Sequence, residues 1–271
     1  MRVLSWNVLH LIHELNHNSH TISEEPRIFA SPVLNKFYDN KNDIIDEYSR
    51  MAQIEKFIIK HLNSETVFAL QEVPGILLNR LKTVLKNYHI IHYLYPRVPK
   101  MKDGSPDPYG EYGSEYLVTI VSKNLAKDVS FDVIPFDKFK DFGKGALVVK
   151  VGDIDIYNYH MEFGQEKRLV DLEQLFLFST KKLSKHQIML GDSNMSFQDW
   201  ITDSARIGFQ DNLVELKEPT REGVTKTGKL YYIQIDHISI SSQLYAKNWF
   251  VENTKSLSDH YLIGAEILVM N

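Results

Sequence analysis

The spacing of apolar residues along the chain predicts many strands and a few long helices. The runs typical of strands span residues 3–8, 66–70, 89–95, 115–122, 128–134, 144–151, 154–160, 186–190, 231–240, 245–251 and 261–269. Apolar positions recur with helical spacing from Ile44 to Leu62, after Pro74, and from Gln165 to Leu183. Strands outnumber helices without strict alternation. This pattern favours an α/β fold, a four-layer sandwich of two packed mixed β-sheets flanked by helices.

Three stretches between these elements predict loops. Residues 10–43 have no clear apolar period, and we interpret them as a loop insertion. Residues 96–114 are rich in Pro and Gly, and residues 217–229 are polar. Gly152-Asp153 predicts a tight hairpin turn, since the turn position tolerates a positive φ. None of these stretches resembles a linker, so we interpret residues 1–271 as a single domain.

The amino-acid composition limits the kind of metal site and the kind of partner that the protein can have. The chain has 271 residues, 43% of them hydrophobic, which is enough for a sizeable core. It has no cysteine, so a metal ion must be held by oxygen and imidazole ligands, which favours Mg²⁺, Mn²⁺ or Ca²⁺. A net charge of -4 argues against a broadly basic nucleic-acid coat protein but leaves room for a local basic rim. Candidates for such a rim, or alternatively ordinary solvated lysines, are Lys100, Lys102, Lys138, Lys140 and Lys144.

The chain contains no pattern of a targeting or membrane segment. The N-terminal residues have no apolar core of signal-peptide length, and no run approaches the ~20 apolar residues of a membrane span. We therefore expect an intracellular protein, cytoplasmic or nuclear. A monomer is the default expectation for a protein of this class.

Six short polar segments lie at or near the ends of the predicted strands. They are Trp6-Asn7, Gln71-Glu72, Asn158-Tyr159-His160, Gly191-Asp192-Ser193-Asn194, Ile235-Asp236-His237 and Ser258-Asp259-His260. Each offers a carboxylate, an amide or an imidazole where the chain leaves an apolar run. Together they suggest strands that deliver polar groups to one metal and phosphate site.

Asn7 and Glu72 are the first candidates for metal ligands. A carboxylate at a strand end supplies fixed oxygens while leaving room for water and phosphate, as Mg²⁺ prefers. Asp259, beside His260, is a further candidate carboxylate. For Glu72 the alternative is an acid near the N-terminus of the helix that follows, and for residues 258–260 it is an ordinary turn.

The remaining candidates suit phosphate chemistry. Asp192 and Asn194, two residues apart, could position a water molecule and hold a phosphate oxygen, or could form an Asx turn. His160 could stabilise developing charge, or be a satisfied structural histidine. A histidine such as His260, if held by a carboxylate such as Asp236, has a fixed tautomer and suits general base catalysis.

In this order, the six segments resemble the endonuclease/exonuclease/phosphatase superfamily of metal-dependent phosphoesterases, which includes deoxyribonucleases and deadenylases. The resemblance runs from Leu4 to Ile267. It rests on Ser5-Trp6-Asn7-Val8, Leu70-Gln71-Glu72-Val73, Asn158-Tyr159-His160-Met161-Glu162, Leu190-Gly191-Asp192-Ser193-Asn194, Ile235-Asp236-His237-Ile238 and Leu257-Ser258-Asp259-His260.

The resemblance implies a role for each matching residue. Glu72 would be the main ligand of Mg²⁺, for which Mn²⁺ can substitute, with Asn7 and Asp259 nearby. Asp192 would orient or deprotonate the attacking water. The scissile phosphate would be held by Asn194 and His160. His260, held by Asp236, would act as a base or stabilise the transition state.

Two arginines match positions that are frequent in the superfamily. Arg50 lies on the first predicted helix, and Arg168 lies on the helix after the histidine segment, where it could bind substrate. Both have a structural alternative, since arginines on helix faces are mostly surface ion-pair partners.

Departures from the family patterns bear on the substrate. Val73 follows Glu72 where abasic-site endonucleases usually have Thr-Lys, and inositol 5-phosphatases usually have a Cys-Asp-Arg segment that this chain lacks. Leu-Gln-Glu-Val and Glu162 are similar to the group with deadenylases, tyrosyl-DNA phosphodiesterases and neutral sphingomyelinases. We expect a Mg²⁺-dependent phosphodiesterase acting on nucleic acid. The alternatives are a phosphoesterase for a phospholipid headgroup or a small metabolite, and a non-catalytic binding module.

Overall fold

The computed structural model describes residues 1–9, 47–95, 115–136, 144–181, 184–207 and 212–270. Its elements, in chain order, are β1 (Arg2–Asn7), α1 (Glu47–His61), β2 (Thr66–Pro74), α2 (Gly75–Val84), β3 (Tyr88–Leu94), β4 (Glu115–Ser122), β5 (Ser130–Pro135), β6 (Gly145–Val151), β7 (Ile154–His160), α3 (Gln165–Lys181), β8 (His186–Asp192), α4 (Phe197–Ile207), β9 (Asn212–Leu213), β10 (Arg221–Val224), β11 (Leu230–Ile233), β12 (Asp236–Ile240), β13 (Leu244–Glu252) and β14 (Leu262–Val269).

Some predicted features fall outside these ranges. They are the insertion at 10–43 and the loop at 96–114, which contains Arg97, Lys100, Lys102, Tyr109 and Tyr112, together with Lys138 and Lys140.

The strands form two six-stranded mixed sheets. The order is β13-β14-β1-β2-β4-β3 in the first sheet and β5-β6-β7-β8-β12-β9 in the second. Each sheet has one parallel pair, β1 with β2 and β7 with β8, and the other neighbours are antiparallel. Strands β10 and β11 form a separate two-stranded hairpin. The predicted mixed sheets are confirmed.

The main apolar core lies between the two sheets. Inward-facing residues of the first sheet, such as Val3 and Val67, share this core with Leu147 and Ile188 of the second, and all four are fully buried. Because residues on a strand alternate between faces, the next residues along the strands face outward to the helices. Apolar area removed from water at this interface is the main force that holds the sheets together.

The helices cover the outer faces of the sheets. Ile54 of α1 and Leu77 of α2 pack with Trp6 and other residues of the first sheet. Leu172 of α3 and Trp200 of α4 pack on the second sheet. The layers are therefore helix, sheet, sheet and helix, which confirms the predicted four-layer sandwich. No helix in the described parts of the chain is long and apolar enough to cross a membrane.

The region after residue 192 differs from the prediction in three places. The predicted polar loop at 217–229 is wrong in part, because it contains β10, and the predicted strand at 231–240 divides into β11 and β12. An exposed hairpin buries little surface, so its residues lack the alternation that marks a half-buried strand. Helix α4 was not predicted, although the Ser196 hydroxyl accepts a hydrogen bond from the Asp199 amide as an N-cap does.

A polar contact joins the sheets within the core. The Gln71 amide donates a hydrogen bond of 2.8 Å to Asn158 Oδ1, and Asn158 Nδ2 donates to the carbonyl oxygens of Leu70 and Val118. Both amides are fully buried. Since a buried amide is stable only when its groups are hydrogen-bonded, this contact sets the relative position of β2 and β7 just below their polar ends.

Candidate functional site

The predicted site residues meet at one edge of the sandwich. His160 and Asp192 are the last residues of the parallel neighbours β7 and β8, so they lie at the same end of the second sheet. Asn7 is the last residue of β1 in the first sheet, and it contacts Asp192 across the two sheets. Asp236 begins β12, which runs antiparallel to β8, and the Cα partner of Asp236 is Asp192. His260 lies two residues before β14, which runs antiparallel to β1. Strand direction within each sheet and the packing of the two sheets therefore bring five of the six scattered segments together.

Glu72 reaches the site through a bulge in β2. The register of β2 against β4 shifts between Leu70 and Val73, and Glu72 has a positive φ of 54°. Such a bulge turns a side chain toward the end of the strand. Asn7 Nδ2 donates hydrogen bonds to Glu72 Oε1 at 3.0 Å and to Asp192 Oδ2 at 3.1 Å. One amide therefore ties the two carboxylates together across the sheets.

Asp192 uses its two oxygens for different purposes. Oδ1 accepts a hydrogen bond from the Asn194 amide at 2.9 Å, which is the Asx turn considered as an alternative. Oδ2 lies 3.4 Å from His160 Nε2 and 3.7 Å from His260 Nε2. Burial raises the pKa of Asp192, the charge of Asp236 raises it further, and His260 opposes this. The turn orients one oxygen, and the other faces the site.

The segment around Asn194 depends on a glycine. A Cβ at Gly191 would lie 2.0 Å from the Tyr159 carbonyl oxygen, so β8 can approach β7 this closely only without a side chain. Asn194 Nδ2 donates to the Met161 carbonyl at 2.7 Å, and Arg168 donates to the Asn194 carbonyl. Asn194 Oδ1 is buried and has no hydrogen-bond partner among the described residues. Arg168 therefore supports this segment through its backbone.

His160 lies between a cation, a phenol and the two carboxylates. Lys144 Nζ is 2.7 Å from His160 Nε2, and the Tyr95 hydroxyl is 2.9 Å from Nδ1. Burial lowers the pKa of His160 well below its usual value, and the nearby charge of Lys144 lowers it further. A neutral His160 that accepts at Nε2 carries its proton on Nδ1. Lys144, rather than His160, therefore presents positive charge at this side of the site.

His260 is the second histidine and has the opposite electrostatic character. Its Nδ1 lies 2.9 Å from Asp236 Oδ2, and the Thr220 hydroxyl donates to the same oxygen at 2.7 Å. Burial acts to lower the pKa of His260, but the carboxylates of Asp236, Asp192 and Asp259 outweigh it and raise the pKa to about 9. His260 is therefore a cation at neutral pH, with its ring orientation fixed by Asp236.

Asp259 lies beside this pair and makes its own ion pair. Arg221 Nε donates to Asp259 Oδ2 at 2.9 Å, and the Asp259 side chain is almost completely buried. Within the described residues, the two groups whose ligand atoms lie within 4.8 Å of one another are Glu72, His160 and Asp192, and Asp192, Asp236 and His260. Asp259 belongs to neither group.

Arg50 has a structural role. Its buried guanidinium donates hydrogen bonds to the carbonyl oxygens of Val8, Leu9 and Leu257. It thereby joins the end of β1 to the segment that leads into residues 258–260. The contact explains how residues more than two hundred positions apart keep their relative places at the site.

The charges at the site fit a divalent cation. The acidic side chains here are Glu72, Asp192, Asp236 and Asp259, and the cations that face them are Lys144, Arg221 and His260. With the carboxylates ionised, the site carries one net negative charge and would repel a phosphate anion. A bound divalent cation would reverse the sign, and the oxygen ligands are those that Mg²⁺, Mn²⁺ or Ca²⁺ prefer.

Solved structures share the fold over almost the whole chain. D. rerio TDP2, complexed with a single-stranded DNA product, is 14% identical with a TM-score of 0.62, and the match covers 99% of both chains. An endonuclease/exonuclease/phosphatase from Bacteroides vulgatus is 16% identical with a TM-score of 0.64, covering 99% of this chain and 98% of that one. The chain has the endonuclease/exonuclease/phosphatase fold.

Other proteins with the endonuclease/exonuclease/phosphatase fold differ in their named activity. A mannosyl-6-phosphatase from Bacteroides thetaiotaomicron is 16% identical with a TM-score of 0.59, and the match covers 99% of both chains. No protein-family model matches the sequence, and no curated protein matches it. The similarity therefore establishes the fold, and the activity must be argued from the site.

Sequence reasoning missed several residues that shape the site. Arg221 lay in a segment predicted to be a loop, and Thr220 and Tyr95 carry no motif. Lys144 was considered only as part of a basic rim. The one signal in the sequence was that Lys144 lies at the start of a predicted strand. Its link to the site becomes visible only once β6 is paired with β7, the strand that ends in His160.

Proposed function

We propose that the protein is a Mg²⁺-dependent phosphodiesterase that hydrolyses nucleic acid. The observation that carries the proposal is the convergence of Glu72, His160 and Asp192, with ligand atoms within 4.8 Å of one another, beside the cation His260. Carboxylates for a metal ion and fixed cations for a phosphate are the two components that phosphoryl chemistry requires. The endonuclease/exonuclease/phosphatase fold supports the same reaction class.

The main ligand of the metal ion would be Glu72, and Asn7 would hold this carboxylate beside Asp192 through its Nδ2. Glu72 is the most accessible of the acids, since 23% of its side chain is exposed, so it can bind an ion that keeps several waters. A bound Mg²⁺ would act as a Lewis acid on the phosphate and on the leaving oxygen. Asp259, which the sequence suggested as a ligand, would contribute charge from its pair with Arg221.

The remaining residues would handle the water and the phosphate. Asp192 Oδ2 would orient the attacking water and accept its proton, and the buried Asn194 Oδ1 is available as a second acceptor for that water. His260, oriented by Asp236, would donate from Nε2 to the phosphate as negative charge develops. His160 would hold Lys144 so that its ammonium group contacts the phosphate from the opposite side.

Two observations support the proposal that the substrate is nucleic acid. Lys144 and Arg221 place fixed positive charge at the site although the whole chain is acidic. A protein of the same fold, D. rerio TDP2, was solved with a single-stranded DNA product. The second candidate is a phosphomonoesterase, which is favoured by the similarity to the mannosyl-6-phosphatase from Bacteroides thetaiotaomicron.

The test is turnover on a panel of phosphoesters with Mg²⁺ and with EDTA. The panel contains bis-p-nitrophenyl phosphate, p-nitrophenyl phosphate, single-stranded DNA, polyadenylated RNA, duplex DNA with a 5′-tyrosyl end and sphingomyelin. We expect EDTA-sensitive hydrolysis of the diester and of one nucleic acid. Hydrolysis of p-nitrophenyl phosphate alone would support a phosphomonoesterase. Hydrolysis of sphingomyelin alone would support a phosphoesterase that acts on a phospholipid headgroup.

One variant tests the site, and a second variant is its control. Asp192→Asn keeps the side-chain oxygen that accepts from the Asn194 amide but removes the charge, and should reduce kcat by at least ~10²-fold, the scale of losing one key electrostatic group. Asp153→Asn removes a carboxylate from the exposed turn between β6 and β7 and should leave kcat unchanged. Native turnover by Asp192→Asn would contradict the proposed mechanism, and no turnover on any ester would favour a non-catalytic binding module.

A further inference from the structure

Two exposed aromatic rings lie on segments that also contact the site. Phe163 follows β7 in the connection to α3 and is 62% exposed, and Tyr231 lies on β11 of the hairpin and is 39% exposed. Single exposed apolar residues are common on protein surfaces. These two are distinguished by how each ring is held and by the site residue beside it, Lys144 for Phe163 and Arg221 for Tyr231.

Phe163 is held by the cation at the His160 side of the site. Lys144 Nζ lies 4.8 Å from the centre of the Phe163 ring and 2.7 Å from His160 Nε2. A cation over an aromatic face stabilises the position of the ring. The Glu162 amide also donates to Asp171 Oδ2 at 2.9 Å, so the backbone just before Phe163 is fixed. The ring is therefore oriented, although most of it faces solvent.

Tyr231 is held against a glycine on the Arg221 side of the site. Gly223 pairs with Tyr231, and a Cβ at Gly223 would lie 2.4 Å from Tyr231 Cζ, so the ring lies across the glycine. Arg221 and Gly223 are two residues apart on one strand, so the ring is on the same face of the hairpin as Arg221. Arg221 in turn reaches Asp259 and forms a backbone bridge with His260.

Tyr232, the next residue, provides an internal comparison. It pairs with Glu222, so it lies on the opposite face of the hairpin from Arg221, and it is 57% exposed. Glu222 on that face accepts a hydrogen bond from the Tyr261 hydroxyl. The hairpin therefore presents one tyrosine toward the side that carries the site arginine and one tyrosine away from it.

The two rings flank the position expected for the phosphate. Asp192 Oδ2 lies 3.4 Å from His160, beside which Phe163 is held, and 3.7 Å from His260, beside which the hairpin passes. A diester centred near Asp192 would extend toward Phe163 on one side and toward Tyr231 on the other. Exposed aromatic faces next to fixed cations are how proteins bind unpaired bases, because each base has a face that can stack.

We propose that Phe163 and Tyr231 form a stacking subsite that binds unpaired nucleobases on the two sides of the scissile phosphodiester. This rests on the proposed function and narrows its substrate to single-stranded nucleic acid or unpaired ends. Paired bases in a duplex are already stacked and cannot reach either ring. The same hairpin carries two exposed basic residues, Lys226 and Lys229, in its turn, and positive charge there favours a polyanion.

The test is equilibrium binding, so it does not depend on turnover. Fluorescence anisotropy with the full chain in Mg²⁺ would compare a labelled DNA strand of about ten nucleotides, whose phosphorothioate linkages resist hydrolysis, with an abasic strand of the same length and linkages. We expect wild type to bind the base-containing strand more tightly than the abasic strand. Phe163→Ala and Tyr231→Ala should each weaken binding of the base-containing strand about tenfold and leave the abasic strand unchanged.

Matched variants separate stacking from a general loss of surface. Tyr231→Phe keeps the ring and should bind as wild type does. Tyr232→Ala removes a tyrosine from the opposite face, and Phe131→Ala removes a phenylalanine that is 55% exposed on β5, four residues from the site end of that strand. Both should leave binding unchanged.

The outcomes distinguish this subsite from the proposed reaction. Equal binding of the two strands by wild type, no binding of either, or equal losses in the matched variants would overturn the subsite. Hydrolysis of bis-p-nitrophenyl phosphate with Mg²⁺ reports the reaction separately. A protein that hydrolyses this diester and one nucleic acid of the panel but fails the binding test would keep the proposed function and lose the stacking subsite.

Discussion

Asp171 is a buried carboxylate behind the site whose replacement should change how stability depends on pH. It lies on α3, is 1% exposed, and accepts a hydrogen bond of 2.9 Å from the Glu162 amide at Oδ2. Burial raises its pKa from the ordinary 3.8 to about 7, and the charge of Glu162 adds to this while the amide hydrogen bond opposes it. Asp171→Asn keeps an acceptor oxygen and removes the ionisation.

The direction in which stability changes with pH follows from proton binding. The folded protein holds the proton of Asp171 more tightly than the unfolded chain does, so its contribution to the free energy of unfolding falls as the pH rises from about 4 to about 7. Each pKa unit corresponds to ~1.4 kcal/mol, so the full cost of ionisation is roughly 4 kcal/mol above pH 7. About 3 kcal/mol of this falls between pH 5 and pH 8. The free energy of unfolding of wild type relative to that of Asp171→Asn should fall by this amount between pH 5 and pH 8, because the other titrating groups are common to both proteins.

The assay is urea denaturation of both proteins at several pH values from 5 to 8. A buried amide hydrogen without a partner would lower the stability of the variant by the same amount at every pH, so the difference in slope is the test. Glu166→Gln, an exposed position on the same helix, should give a curve parallel to that of wild type. Parallel curves for wild type and Asp171→Asn would refute the reasoning from burial.

Three further predictions concern the site and its frame. Glu72→Gln should reduce kcat at least ~10²-fold and weaken Mn²⁺ binding measured by calorimetry, whereas near-native values would remove Glu72 from the metal site. Asn158→Leu removes one of the two acceptors of the buried Gln71 amide, which still donates to Ser5 Oγ, and removes the donor to the carbonyl oxygens of Leu70 and Val118. It should lower the free energy of unfolding in urea by about 3 kcal/mol, and a loss below ~1 kcal/mol would show that the contact between the sheets contributes little. Gly223→Ala should displace the Tyr231 ring and weaken binding of single-stranded DNA as much as Tyr231→Ala does. Unchanged binding would show that the position of the ring against Gly223 does not matter for binding.

The amino-acid sequence determined the elements whose signals are local. Helix α1 was predicted at 44–62 and is described at Glu47–His61, and α3 was predicted at 165–183 and ends at Lys181. These elements bury one side, so burial imposes a period that can be read directly along the chain. The polar residues at the strand ends could be recognised for the same reason, because each interrupts an apolar run. The catalytic and metal-binding roles of those residues remain predictions.

Only the tertiary structure decided which groups face each other. Asn7 and Asp192 are 185 residues apart, and Arg221 and Asp259 are 38 apart, yet each pair is in direct contact. The bulge that turns Glu72 inward depends on how β2 pairs with β4. Charge and protonation at the site are set by such distant neighbours, because electrostatic interaction depends on separation in space and on burial. The position of a residue along the chain gives neither its separation in space from other residues nor its burial.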